Sequence, residues 1–109
     1  MAYANDVIFD DRPMDEDFVE GIIDTKNAYM ISIYAQWVGH LAEMPTGNLI
    51  MQLSNDGVNW HDHTTQAAGG AAGNKWFEEK TLTSMYVRLL WDLTSGNGKL
   101  TAWFCTKGV

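Results

Sequence analysis

An antiparallel β-sandwich, jelly-roll-like and built of about eight short strands, is the fold class this chain of 109 residues predicts. Three observations carry that expectation. Apolar and polar residues alternate with period two over residues 28–38 and 85–93, in runs rich in β-branched and aromatic side chains. Turn signals such as Asp56-Gly57 and Ser95-Gly96-Asn97-Gly98 punctuate the chain roughly every ten residues. No segment shows a helical period with caps.

In chain order, Val7-Ile8-Phe9 is a short apolar island among acids, a strand or an arm that packs on a neighbour, and Asp10-Asp11-Arg12-Pro13 reads as a turn. Phe18 to Ile23 is a second short strand candidate, ended by Asp24-Thr25-Lys26-Asn27. In residues 28–38, Tyr29, Ile31, Ile33, Ala35 and Trp37 form the expected core face, with Met30, Ser32, Tyr34, Gln36 and Val38 opposite. A connector from Gly39 to Gly47 contains Pro45. Leu49, Met51 and Leu53 then point inward, and the Asp56-Gly57 turn leads into Trp60 to Thr64. Gly accepts positive φ without a Cβ clash and Asp bonds its own backbone, so this turn specifies architecture and no chemistry.

Residues 65–74 lack any large side chain and are expected to form a mobile low-complexity loop that can order against a partner. Lys75 to Leu82 is a less regular strand. Met85 to Leu93 is a strong one, with Val87, Leu89, Trp91 and Leu93 inward and Tyr86, Arg88, Leu90 and Asp92 opposite. After the glycine turn, Leu100, Ala102 and Phe104 face the core.

The chain is long enough for one core and too short for two. With 46% hydrophobic residues and five tryptophans, it can pack an interior without staples. The single cysteine, Cys105, can form no internal disulfide and has no adjacent base, so an inert thiol is expected. The N-terminus has no secretory pattern and no apolar run reaches the roughly 20 residues of a membrane helix, so a protein made and kept in the cytoplasm is expected, with no membrane partner.

The net charge of −7 is unevenly placed. Residues 1–24 hold eight acids (Asp6, Asp10, Asp11, Asp15, Glu16, Asp17, Glu20, Asp24) and only Arg12, whereas residues 25–109 balance six acids with six bases. The division expected is an acidic N-terminal arm over 1–24 and a single β-sandwich domain over 25–109. A basic stripe for displacing phosphate counterions is absent, which argues against nucleic acid. The acidic segment serves solubility or docks on a basic partner surface.

Chemistry-bearing clusters are sparse. On a strand, His61 and His63 point the same way, but a metal site wants a third ligand and His40 lies in a distant connector. Ser54 to Trp60 is similar to the Asp-box turn of sialidase-like proteins, Ser-x-Asp-x-Gly-x-x-Trp, with one residue missing between Asp56 and Gly57. Glu78 and Glu79 are adjacent and so face opposite sides of a strand, which rules out a glycosidase pair. Trp60, Trp76 and Trp103 could stack a sugar, although core or interface packing is the favoured use. No catalytic order and no cofactor motif is present, so no enzyme activity and no cofactor are expected.

Large apolar residues on the outward positions suggest instead a subunit interface. The candidates are Met30, Tyr34, Ile50, Tyr86, Leu90 and Trp103, joined by Phe9 and Phe18 in the acidic segment. Cover by the N-terminal segment or the 65–74 loop is the competing explanation.

Thr46-Gly47, Leu49, Gln52 to Trp60, Tyr86-Val87-Arg88, Ser95-Gly96-Asn97-Gly98, Leu100, Ala102 and Lys107-Gly108 together resemble a β-sandwich of structural proteins in tailed bacteriophage virions. The match spans residues 27–109 and rests on turn and core signatures. It implies a virion structural protein, either a capsid decoration (cement) protein or a fibre or tail component. The expectation is a homo-oligomer, with a trimer favoured, that binds the major capsid protein on the capsid surface after synthesis in the host cytoplasm. The alternative is a carbohydrate-binding module of a phage fibre or tail adhesin, with Trp60, Trp76 and the 65–74 loop at its site. A small metal-dependent enzyme using His61 and His63 is a third reading.

Overall fold

The computed structural model describes residues 2–108, and the side chains of residues 5–19 and 21–108. The described residues form eight strands: β1 (Ala2–Pro13), β2 (Phe18–Asp24), β3 (Ala28–Gly39), β4 (Thr46–Ser54), β5 (His61–Gly69), β6 (Ala72–Glu79), β7 (Tyr86–Ser95) and β8 (Gly98–Gly108). They form a front sheet of order β1-β8-β3-β6 and a back sheet of order β2-β7-β4-β5, antiparallel throughout.

The pairings are nested. β4 pairs with β5, β3 with β6, β2 with β7 and β1 with β8, so the chain is one long hairpin rolled into two sheets. The fold is a jelly roll. The tip of that rolled hairpin is the connection 55–60, where Gly57 has φ 75°. Asp56 organises it. Its Oδ1 accepts the backbone N–H groups of Val58 and Asn59, both at 2.8 Å, while Ser54 Oγ accepts that of Gly57 at 2.9 Å. These bonds hold the Asp56 carboxyl far below its usual range, the Asn59 N–H contributing most. The loop is six residues long rather than a two-residue turn, and β5 starts only at His61.

The inward sets on the long strands are as the alternation predicts. Ile31, Ile33, Ala35, Trp37, Leu49, Met51, Leu53, Val87, Leu89, Trp91, Leu100 and Ala102 are buried. Tyr29 departs from its set at 38% exposed, near the start of β3. Met14, in the β1–β2 connection, is fully buried and closes one end of the core. Its carbonyl accepts the Trp91 indole N–H at 3.1 Å, satisfying the only polar atom of a large buried ring.

The acidic segment expected as an arm over 1–24 does not form one in the described residues 2–24. β1 and β2 complete the two sheets as edge strands, and Phe9 and Phe18 lie in the core at 3% and 6% exposure. Their rings meet edge to face across the sandwich, with centroids 4.8 Å apart. Bulges concealed these strands. Register shifts fall between Val7 and Phe9, between Phe9 and Arg12 and between Glu20 and Ile23, with Asp11 at φ 49° and Gly21 at φ 71°. Each extra residue flips the face of the residues after it, so the period of two never emerges. The turn expected at Asp10–Pro13 is therefore the bulged end of β1.

Residues 65–74 are not a loop either. They end β5 and begin β6 around Gly70, which has φ 89°. Their small side chains allow close approach. Gly73 lies against the Trp37 indole, where an added Cβ would collide with Cζ2.

Candidate functional surfaces

The interface candidates divide in three. Phe9, turned inward by the bulge before it, and Phe18, at the start of β2, are core residues. Ile50 is on the outer side of β4 but only 7% exposed, so it offers no surface. Tyr86 and Leu90 are half-buried on the outer side of the back sheet, and Met30, Tyr34 and Trp103 half-buried on that of the front sheet.

The back face is sealed by its own side chains. Gln52 Nε2 donates to Asp62 Oδ1 at 2.8 Å, and Arg88 Nε donates to Gln52 Oε1 at 2.7 Å. The Arg88 guanidinium lies 4.2 Å from the centre of the Trp60 ring. Burial pushes the Arg88 pKa down, yet guanidinium stays charged at any ordinary pH. Nearby, Lys26 lies 5.5 Å over the Tyr86 ring.

The front face is open. Register aligns Val7, Trp103, Tyr34 and Trp76 on β1, β8, β3 and β6, a single row across all four strands. With strands ~4.8 Å apart the row runs about 14 Å. Tyr34 stacks on Trp103 with centroids 5.9 Å apart and planes 16° off parallel, and Trp76 follows at 6.3 Å, tilted by 49°. Trp76 is 55% exposed, and its indole N–H donates to Glu78 Oε2 at 3.2 Å, which fixes the ring. On one side of the row lies a groove of about 480 Å³ whose polar lining is Gln36, Asn74, Thr101, Lys99 and Asp11. On the other side is a smaller hollow of about 250 Å³, with Ser32, Glu78 and Lys107.

The two flanks of the sandwich also differ. Where β5 meets β6, Gln66 Nε2 donates to the Trp76 carbonyl at 2.7 Å, and His63 Nε2 sits 2.6 Å from Glu79 Oε2. The Glu79 carboxyl is held below its usual range, first by the Thr81 N–H and then by His63. His63 is thus engaged with a carboxylate, and no group of three or more His, Cys, Asp or Glu that could hold a metal occurs among the described residues.

The β1–β2 flank is open instead. A cleft of about 320 Å³ separates the strands, with Val7, Ile8 and Ile22 along it and Asp6 and Asp24 at its rim. Val7 and Ile22 are 45% and 55% exposed. Asp10 and Asp11 on β1 and Asp15, Glu16 and Asp17 in the β1–β2 connection are exposed, so the charge asymmetry of the sequence becomes an acidic flank. Asp17 Oδ1 accepts the Leu93 N–H at 2.7 Å, and Asp24 pairs with Lys26 at 3.4 Å.

Of the three tryptophans considered for sugar stacking, Trp76 and Trp103 share the front face and Trp60 lies on the back. Tyr34, which joins the two rings, was legible only as an outward position on β3. The polar rows beside it could not be assigned from sequence, because they depend on strand order.

No family model matches the chain, and no curated protein matches its sequence. Among solved structures, the SPBc2 prophage-derived protein YomS is similar over 96% of both chains, at TM-score 0.55 and 6% identity. A structure described as "CBM4 structure and function" matches at TM-score 0.51 and 16% identity, covering 98% of this chain and 68% of that one. At such identities the likeness shows the fold, an all-β sandwich.

Proposed function

We propose that this protein is a non-enzymatic structural protein of a phage particle, a head decoration protein that docks on the shell lattice of the major capsid protein through its open β1–β2 flank. The observation that carries the reading is the construction of that flank. It combines an apolar cleft with a rim and connection of exposed carboxylates, whereas the opposite flank is stapled shut. An apolar centre with a charged rim is the usual anatomy of a protein interface, and one-signed charge steers a partner of the opposite sign. The resemblance of the turn and core residues to virion β-sandwiches supports the particle context, as does the likeness in fold to a prophage-derived protein. The protein would act as a homo-oligomer, with a trimer expected, on the capsid surface. Contacts spanning neighbouring shell subunits would stabilise the lattice by mass action.

Co-sedimentation with shells lacking the protein tests this reading. The triple variant Asp10→Lys, Asp15→Lys, Glu16→Lys should lose at least about tenfold in affinity, the equivalent of 1.4 kcal/mol. Wild-type binding should also weaken as salt rises from about 0.1 M to about 1 M, where the screening length falls from ~10 to ~3 Å. Binding that the triple variant and salt both leave unchanged would reject the flank as the docking surface.

A further inference from the structure

The front face adjoins the acidic flank through Val7 and Asp11 on β1 and needs its own account. Three adjoining side-chain rows at its centre are set by register. Trp103, Tyr34 and Trp76 form the middle row, Thr101, Gln36 and Asn74 the row on one side, and Cys105, Ser32 and Glu78 the row on the other. An aromatic strip bordered by amides, hydroxyls and a carboxylate is a poor surface for a second apolar protein face, because packing there would desolvate the polar rows without partners. It suits a ligand that is apolar on its flat side and hydroxylated at its edge.

We propose that the outer face of the front sheet is a binding groove for a neutral oligosaccharide. The C–H face of a pyranose stacks on the Tyr34, Trp103 and Trp76 rings, whose negative π-faces attract the slightly positive C–H groups. The ring hydroxyls reach the groove beside the strip, where Gln36 and Asn74 offer amides that both donate and accept. Asp11 belongs to the same groove through the bulge in β1. Its backbone N–H donates to Thr101 Oγ1 at 3.1 Å, and its φ of 49° is a conformation that L-residues rarely hold. The Trp76–Glu78 bond preorganises the exposed end of the strip, so less rotamer freedom is lost on binding. The three rings, 5.9 and 6.3 Å apart in turn, span two strand spacings or about 10 Å, enough for a short chain of sugars rather than one. Charge selects against anionic glycans: the groove carries Asp11 against Lys99, and the whole molecule is at −7.

The test uses the full chain and titration calorimetry with cellohexaose, laminarihexaose, maltohexaose and chitohexaose as probes, with heparin as the anionic comparison. At least one neutral hexasaccharide should bind, and heparin should not. Trp76→Ala, at an exposed position where folding survives, should weaken binding about tenfold or more, and Gln36→Ala should weaken it several-fold. Trp60→Phe, on the back face, should leave it unchanged. The proposal fails if no neutral probe binds with Kd below about 1 mM, a free energy of only about 4 kcal/mol. It fails equally if binding survives both front-face substitutions, or if sedimentation and acrylamide quenching show Trp76 covered by a second copy of the chain.

Discussion

The Phe9–Phe18 contact offers the sharpest test of how the acidic segment is built in. Were residues 1–24 an appended arm, truncating either ring would leave the sandwich untouched. As edge strands, β1 and β2 each contribute one phenyl ring to the core, with centroids 4.8 Å apart. Full burial of a Phe removes roughly 150 Å² or more of surface from water, worth about 4 kcal/mol at ~25 cal/mol per Å². That agrees with the ~3–5 kcal/mol seen when a buried Phe becomes Ala. Phe18→Ala also removes the ring beneath Arg12, whose guanidinium lies 4.6 Å from its centre. A domain of this size is stable by about 5–15 kcal/mol, so either substitution should remove a third or so of the total, or more. The melting temperature should fall by more than about 10 °C. The pair should be coupled by about 1 kcal/mol, the double variant losing that much less than the sum of the two single losses. Urea unfolding followed by tryptophan fluorescence measures the losses and the coupling, and a thermal melt the fall in temperature, with buried Trp91 as reporter. Losses under about 1 kcal/mol with strict additivity would refute the edge-strand account.

Two further outcomes are expected. Gly73→Ala drives a methyl group into the Trp37 indole and should cost about 1–3 kcal/mol in urea unfolding, with a change in tryptophan emission. The Asp56 carboxyl is depressed in the folded state, so its contribution is present above the ordinary carboxylate value of 3.8 and is lost as pH falls below it. Glu79 acts with the same sign. Stability should therefore decline on acidification from about pH 4, and Asp56→Asn should flatten that decline while lowering stability at neutral pH.

Much of the core was legible from residue patterns. On β3, β4, β7 and β8 the alternation holds along most of each strand, and the positions it turns inward are buried except Tyr29, beside the irregularity between Ala28 and Met30, and the half-buried Leu93 and Phe104. Where a bulge intrudes, pattern reading failed. Val7 and Phe9 are two residues apart, yet the first is exposed and the second buried, because the irregularity between them reverses the pleat. Residues 65–74 misled for another reason. Small residues read as freedom in sequence, whereas against Pro45 and the Trp37 indole they are what lets two strands pass close by. Ile50 is outward on its strand, yet neighbouring side chains cover the back face, something no single-strand pattern records.

Local chemistry was enough to determine that this chain forms an all-β sandwich, where most strands lie, and that its negative charge is concentrated in the first 24 residues. Those properties depend on neighbours a few positions apart, where alternation, glycine and proline act. Which strands adjoin one another was decided only by the rolled hairpin. It set β1 beside β8 and β3 beside β6, bringing Val7, Trp103, Tyr34 and Trp76 into one row from positions up to 96 residues apart. That row exists because cross-strand register converts distant sequence positions into adjacent side chains, and register is a property of the closed sheets alone.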